Sequence, residues 1–268
     1  VISFQLNIVL GILIAYVSNY LISGLGENDW RWMLGIVGLP SLLFSILILF
    51  TPESPTFLLL HRNDQVGAKK VLNLVDPDPD GTIKRILASQ SKVSTTERIF
   101  TSKYFKPLLL AFLFSFFNQL SGINAVLYYA PRIFEKAHLD KSSALLQSAG
   151  IGVANLIFTL LGWYLIDRVG RKVLMYIGSI GYIVSLSLIA YSFYADSFEL
   201  VPMYIFAFIA AHAIGQGSVI WVFISEIFPN SVRASGMAWG SLTHWILAAL
   251  ITNFFPIFTS ILGESYIF

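Results

Sequence analysis

The chain has 268 residues, 56% of them hydrophobic and only 12% charged, and its mean hydropathy is +0.73. Soluble domains carry roughly a quarter charged residues, so this is the composition of an all-α, polytopic membrane protein. A net charge of +2 without a basic run gives no reason to expect nucleic acid as a partner, and the lack of cysteine excludes disulfides, thiolate nucleophiles and cysteine metal sites.

A membrane-spanning helix needs about 20 mostly apolar residues. The first such stretch covers about 2–23, is uncharged, and has no basic region ahead of it, so it reads as a helix and not a signal peptide. The second covers 32–51. A long polar stretch, 52–104, follows, with helix-like pieces at 64–75 and 80–91 around the turn-rich "DPDPDG". Five more apolar segments occupy 106–131, 144–166, 173–194, 201–227 and 235–258. The chain opens at Val1, and its last residues, "GESYIF", begin another apolar run, so both ends read as cut from a longer protein.

Seven spans place 52–104, 167–172 and 228–234 on one side of a bilayer. That side holds 13 of the 17 Lys and Arg residues; Arg31, Arg132, Lys136 and Lys141 lie opposite. The positive-inside rule makes the basic side cytoplasmic. The expected location is a cell membrane, plasma or bacterial inner, with the lipid bilayer as a partner.

Several spans carry side chains that hydrocarbon cannot satisfy. The first has Gln5. The third contains "FFNQLSGINAVLYYAPRIF", with Asn118, Gln119, Asn124, Tyr128 and Tyr129. The fourth has Asn155 and the seventh His244 beside Trp245. In the sixth, "GQGSVIW" places Gly215 and Gly217 just before Trp221, and interruptions of this kind are tolerated where they line a cavity. On a straight helix Gln119 and Asn124 sit about 140° apart. They reach one ligand only if the helix bends, and Gly122 and Pro131 are the expected breaks. Amides and aromatic rings without charge match a neutral ligand rich in hydroxyls, such as a sugar. The alternative is that individual polar residues bond neighbouring helices. Catalytic and metal motifs are missing: the four histidines have no ligand spacing, and there is no G-x-S-x-G, P-loop or H-E-x-x-H. No enzyme, cofactor or metal is expected.

The motifs now resemble those of a known family. "NQLSGINAVLYYAPRIF" (118–134), "PESPTFLL" (52–59), "DRVGRK" (167–172) and "GSVIWVFISEIFPNSVRA" (217–234) are similar to signatures of the sugar porters of the major facilitator superfamily. The resemblance runs over essentially the whole chain and implies family helices five to eleven of a twelve-helix, two-bundle fold. On that basis 1–51 is the last two helices of the N-terminal bundle, 52–104 a cytoplasmic helical linker, and 105–268 the C-terminal bundle before its twelfth helix. It implies transport of a monosaccharide, hexose or pentose, by alternating access. It also makes the proton a candidate coupling ion, though the carboxylate that couples family symporters lies in helix one.

The resemblance assigns substrate contacts to Gln5, Asn118, Gln119, Asn124, Tyr128, Asn155, Gly217, Trp221, His244 and Trp245. It assigns gating to Tyr129, Arg168, Arg171, Glu226 and Arg233, with ion pairs at the helix ends holding one facing state. There are departures: Asn118 is shorter than the family's glutamine, Ser218 replaces a proline, "PESPR" reads "PESPT", and His244 stands where an amide is more usual. A membrane sugar sensor, binding without transport, would use the same pocket.

Overall fold

The computed structural model describes residues 2–92 and 98–268; residues 93–97, part of the expected linker, lie outside them. All regular structure among the described residues is helical. Seven segments are long and apolar enough to cross a membrane: Ser3–Ile22, Asp29–Ile48, Ser102–Lys136, Lys141–Val169, Arg171–Tyr194, Val201–Glu226 and Arg233–Leu262. Each overlaps one of the expected spans. The chain divides into two compact units, one of residues up to Leu34 with Ile99–Phe268, the other Gly35–Arg98.

Helix α1 (Ile2–Ile22) opens the first unit, and α2 (Asp29–Gly35) runs up to the boundary between the units. The second unit holds α3 (Gly38–Ile48), α4 (Pro55–Leu60), α5 (Gln65–Leu72) and α6 (Pro79–Lys92). Pro55 starts α4, where its missing N–H leaves no helical bond unmade. The Asp64 carboxylate caps α5 by accepting from the Gly67 amide at 2.8 Å. Leu58, Leu59 and Ala68 form the small core of this unit, with Ile83 and Ile86 packed on it. In the turn before α6, Asp76 accepts from the Thr82 hydroxyl at 2.7 Å and the Asp78 amide at 2.8 Å. Those two bonds hold its carboxyl below the usual carboxylate range.

The rest of the first unit is α7 (Phe105–Leu120), α8 (Ile123–Lys136), α9 (Lys141–Val169), α10 (Arg171–Tyr194), α11 (Val201–His212), α12 (Ser218–Glu226), α13 (Arg233–Leu262) and the short α14 (Glu264–Ile267). The run from α11 to α12 is its most buried span, 72% enclosed over its most apolar window, against 39% or less for the others. Three apolar clusters include it, the smallest joining Val219 and Val222 of α12 to Ile166 of α9 and Leu174 of α10; the other two are larger. One joins Leu127, Ala130 and Phe134 of α8 to Ile151 of α9, Ile189 of α10, and Ile205 and Phe208 of α11. The other joins Ala111 of α7 to Ile220, Trp221 and Ile224 of α12, with Phe228 and Val232 beyond it.

Between lipid-solvated helices, association depends on close packing more than on hydrophobic burial, which favours small residues at contacts. Gly178 of α10 and Gly215 show this. A methyl group on Gly215 would lie 2.7 Å from the Gly178 Cα and 2.9 Å from the Leu174 carbonyl oxygen, so neither backbone has room to yield.

Two of the expected breaks take a different form. Gly215 and Gly217 do not interrupt the sixth span; Ala213–Gly217 is a π-helical turn that carries α11 into α12 without a gap. A π turn inserts one residue into the helical ladder, which re-aims the side chains that follow it. Pro131 does not end α8 but sits inside it, and Pro256 sits inside α13. A proline in a helix leaves the carbonyl four residues earlier without its amide partner. For Pro131 that carbonyl is Leu127, and it accepts the hydroxyl of Tyr16 from α1. For Pro256 it is Thr252, which accepts the Tyr129 hydroxyl from α8 at 3.2 Å. Both helices therefore continue because a tyrosine of another helix supplies the missing donor.

In a double-mutant cycle on the full-length protein in detergent, Tyr16→Phe should lower thermal stability by about 1–3 kcal/mol, the cost of a buried acceptor left unpaired. In a Pro131→Ala background, which restores the N–H, the same change should cost markedly less. Equal losses in both backgrounds would show that the hydroxyl does not serve that carbonyl.

Candidate functional site

Gly122 turns the third span. Its φ of +76° lies in the left-handed region, which a residue with a Cβ adopts only under strain, and it separates α7 from α8. The turn brings Asn124, five residues on, back to Gln119. The Asn124 Nδ2 donates to the Gln119 Oε1 at 2.8 Å. At its other end the Gln119 Nε2 donates to the Asn118 Oδ1 at 3.1 Å and lies 2.9 Å from the His244 Nε2. Gln119 is 1% exposed, Asn118 2% and His244 8%, so these bonds are made within the protein, while the buried Asn118 Nδ2 has no partner among the described residues.

Other helices complete one cavity around the cluster. From α13 come His244 and Trp245, whose rings are 5.2 Å apart. Trp221 of α12 stands 4.8 Å from His244, ring centre to ring centre, and its Nε1 donates to the Gln5 Oε1 of α1 at 3.2 Å. Asn155 of α9 lines the cavity and faces Thr159 one turn on, at 3.5 Å. Gly217 also lines it, and a methyl group there would come within 2.8 Å of the His212 Nε2. The apolar lining comes from Ile8, Ile12, Ile123, Leu127 and Ile220. No charged residue lines the cavity among the described residues.

Nine of the ten substrate positions expected from the resemblance thus line one cavity. Tyr128 is not among its lining residues and is 56% exposed. His212 lines the cavity without having been singled out, its Nδ1 paired with the Tyr182 hydroxyl of α10. Metal-ligand spacing was the wrong filter for it. The usable signal was an ionisable side chain inside an apolar span.

The five positions expected to act in gating are dispersed. Arg171, at the start of α10, lies 3.0 Å from Asp167 of α9 and 3.0 Å from Glu226 of α12, tying three helix ends together. Arg168 instead lies over the Tyr164 ring at 3.9 Å. Arg233, at the start of α13, is exposed and makes no ion pair among the described residues. Tyr129 stacks on Phe255 with ring centres 5.3 Å apart, besides its bond to Thr252.

Seven lipid-compatible helical segments among the described residues, with an uncharged polar cavity lined from α1, α7, α8, α9 and the α11–α13 stretch, define a multi-pass membrane protein of the major facilitator type. The pattern of the sugar (and other) transporter family matches residues 1–268, and the chain belongs to that family. It is 34% identical over 273 residues to the probable metabolite transport protein CsbC of Bacillus subtilis, covering 98% of this chain and 59% of that protein. It is 33% identical over 271 residues to the glucose transporter GlcP of Staphylococcus epidermidis, covering 98% and 60%. The fold is similar to that of the proton:xylose symporter XylE bound to 6-bromo-6-deoxy-D-glucose, with a TM-score of 0.81 at 29% identity, covering 99% of this chain and 59% of that one. The chain thus spans about three fifths of the length of these relatives.

Gln119 joins three partners, so its loss should be felt beyond one contact. Gln119→Ala in the full-length protein should weaken equilibrium binding of a ligand held in this cavity by about 1–3 kcal/mol while membrane expression stays near normal. Unchanged binding in both Gln119→Ala and Asn124→Ala would mean that the cluster only joins helices.

Proposed function

We propose that this chain is part of a carrier that moves a monosaccharide, hexose or pentose, across a cell membrane by alternating access. The observation that supports this most is the cavity lining: amides and imidazoles that both donate and accept, flanked by the indoles of Trp221 and Trp245, with no charge. Hydroxyls of a sugar match such donors and acceptors, and its apolar C–H faces match indole rings. A charged metabolite would lack a counter-ion there. The names of the relatives, a glucose transporter and a proton:xylose symporter, point the same way. The symporter makes a proton part of the proposed cycle. Among the cavity-lining described residues, only His212 and His244 change charge at pH values near neutrality in their unperturbed form.

In this reading residues 1–51 end one bundle, 52–104 form the linker on the cytoplasmic side, and 105–268 make up most of the second bundle. The Asp167–Arg171–Glu226 cluster lies on that same side and acts as a gate. Its side chains are 76%, 35% and 50% exposed, so each pair adds little stability in itself. Such weak pairs suit a contact that must open in every cycle. Substrate contacts are proposed at the nine cavity-lining positions. Tyr128, outside the cavity here, would join them only in another facing state.

Full-length protein in liposomes should take up labelled D-glucose or D-xylose with saturation. Binding without uptake would identify a sensor, and neither binding nor uptake would overturn the reading. Glu226→Gln should slow uptake while leaving equilibrium sugar affinity nearly intact, because it biases the facing states and removes no cavity contact. Large, equal losses of both would place Glu226 in the folding of the site. Sidedness has its own test, since the chain has no cysteine to interfere. A cysteine at Asn73 should be labelled only from the cytoplasm and one at Ser197 only from outside.

A further inference from the structure

We infer that His244 sets the hydrogen-bond polarity of the amide cluster, so that one proton on its ring changes which groups the cavity offers a ligand. This rests on the sugar-binding reading above and concerns how that same site is regulated.

An amide nitrogen only donates, and an imidazole nitrogen that faces it must be bare to accept. The Gln119 Nε2 lies 2.9 Å from the His244 Nε2 and 3.3 Å from its Nδ1, so the arrangement belongs to a neutral ring with a bare nitrogen turned to the amide. A proton there would set two donors against each other between side chains that are 1% and 8% exposed. Turning the Gln119 amide over resolves the clash, because its Oε1 then accepts from His244. The turn carries through. The Gln119 Nε2 would now face the Asn124 Nδ2, so Asn124 must turn as well. Asn118, which accepts from Gln119, would likewise have to present nitrogen in place of oxygen. The Asn118 Nδ2 is buried and has no hydrogen-bond partner among the described residues, so a donor is held in reserve for this second arrangement.

The surroundings leave the amides as the groups that answer the proton. The cavity side chains are Gln5 from α1, Asn118 and Gln119 from α7, Asn124 from α8, Asn155 from α9, and Trp221 from α12. None is charged. His212 of α11 is the other titratable group lining the cavity, and its Nδ1 is engaged by Tyr182 of α10. With no carboxylate to take up the imidazolium, the carbonyl oxygen of Gln119 is the acceptor within reach. In the neutral arrangement Asn124 spends an N–H on Gln119 and keeps its oxygen free to accept. In the protonated one its oxygen is engaged and its N–H groups are free to donate. The neutral site selects ligands that donate, and the protonated site tolerates ligands that only accept.

Deoxyfluoro sugars separate these cases, because fluorine cannot donate. Equilibrium binding of D-glucose and its monodeoxyfluoro analogues to the full-length protein would be measured between about pH 8 and pH 4, wide enough to cover histidines shifted from their usual range. At least one analogue should gain on D-glucose by about threefold to tenfold at the acid end, as expected for one hydrogen bond. In His244→Gln, or His244→Asn if the first does not fold, the ratios should not change with pH. Constant ratios in the parent protein, or a pH dependence that survives in the His244 variant, would overturn the inference. Loss of D-glucose binding at every pH would instead remove the sugar-site reading, and this inference with it.

Discussion

Inside a bilayer no solvent can repair a missing hydrogen bond, so every polar atom held in the hydrocarbon region needs a partner from the protein itself. Most features of this chain follow from that one constraint. It requires the backbone to be helical across the spans. It explains why the two in-helix prolines each come with a tyrosine from another helix, and why the π turn keeps the α11–α12 run continuous. It also explains why the amides of α7 and α8 are found bonded to one another. Without that mutual bonding they would be too costly to bury.

The same constraint shapes how the cavity would work. A ligand entering it meets few free groups; for the most part it would have to exchange with bonds already made among Asn118, Gln119, Asn124 and His244. Exchange of like for like is nearly neutral for a hydroxyl and unfavourable for a methyl or a halogen. Selectivity then comes less from new attraction than from the penalty on a ligand that cannot replace what it displaces. The apolar walls from α1 and α8 add shape, and the two indoles add faces for C–H groups.

Much of this was legible in the sequence because membrane spans carry a coarse, strong signal in length and composition. The seven spans emerged within a few residues, and so did the turn at Gly122, since Gln119 and Asn124 cannot share a face of a straight helix. Interactions between helices were harder to read. Nothing local shows that Tyr16 reaches Leu127 or that Gln5 meets Trp221, because those partners are 111 and 216 residues apart. Pro131 was expected to break its helix for the same reason: its rescuer lies on α1. Tyr128 was given a place by its motif, yet motif position fixes a residue's neighbours in the chain and not the direction of its ring. His212 escaped notice because its meaning depends on the cavity it borders.

The proline–tyrosine pairs have a consequence for how this chain can change over generations. Each pair divides one task between two distant positions, Tyr16 with Pro131 and Tyr129 with Pro256. A lineage that loses the tyrosine first keeps a carbonyl without its donor, while one that loses the proline first keeps a spare hydroxyl that other groups can absorb. The order of substitution is therefore unequal: the proline can be given up before the tyrosine, and seldom the reverse. Lineages without these prolines should often still hold the tyrosines, as a trace of the bond they once served.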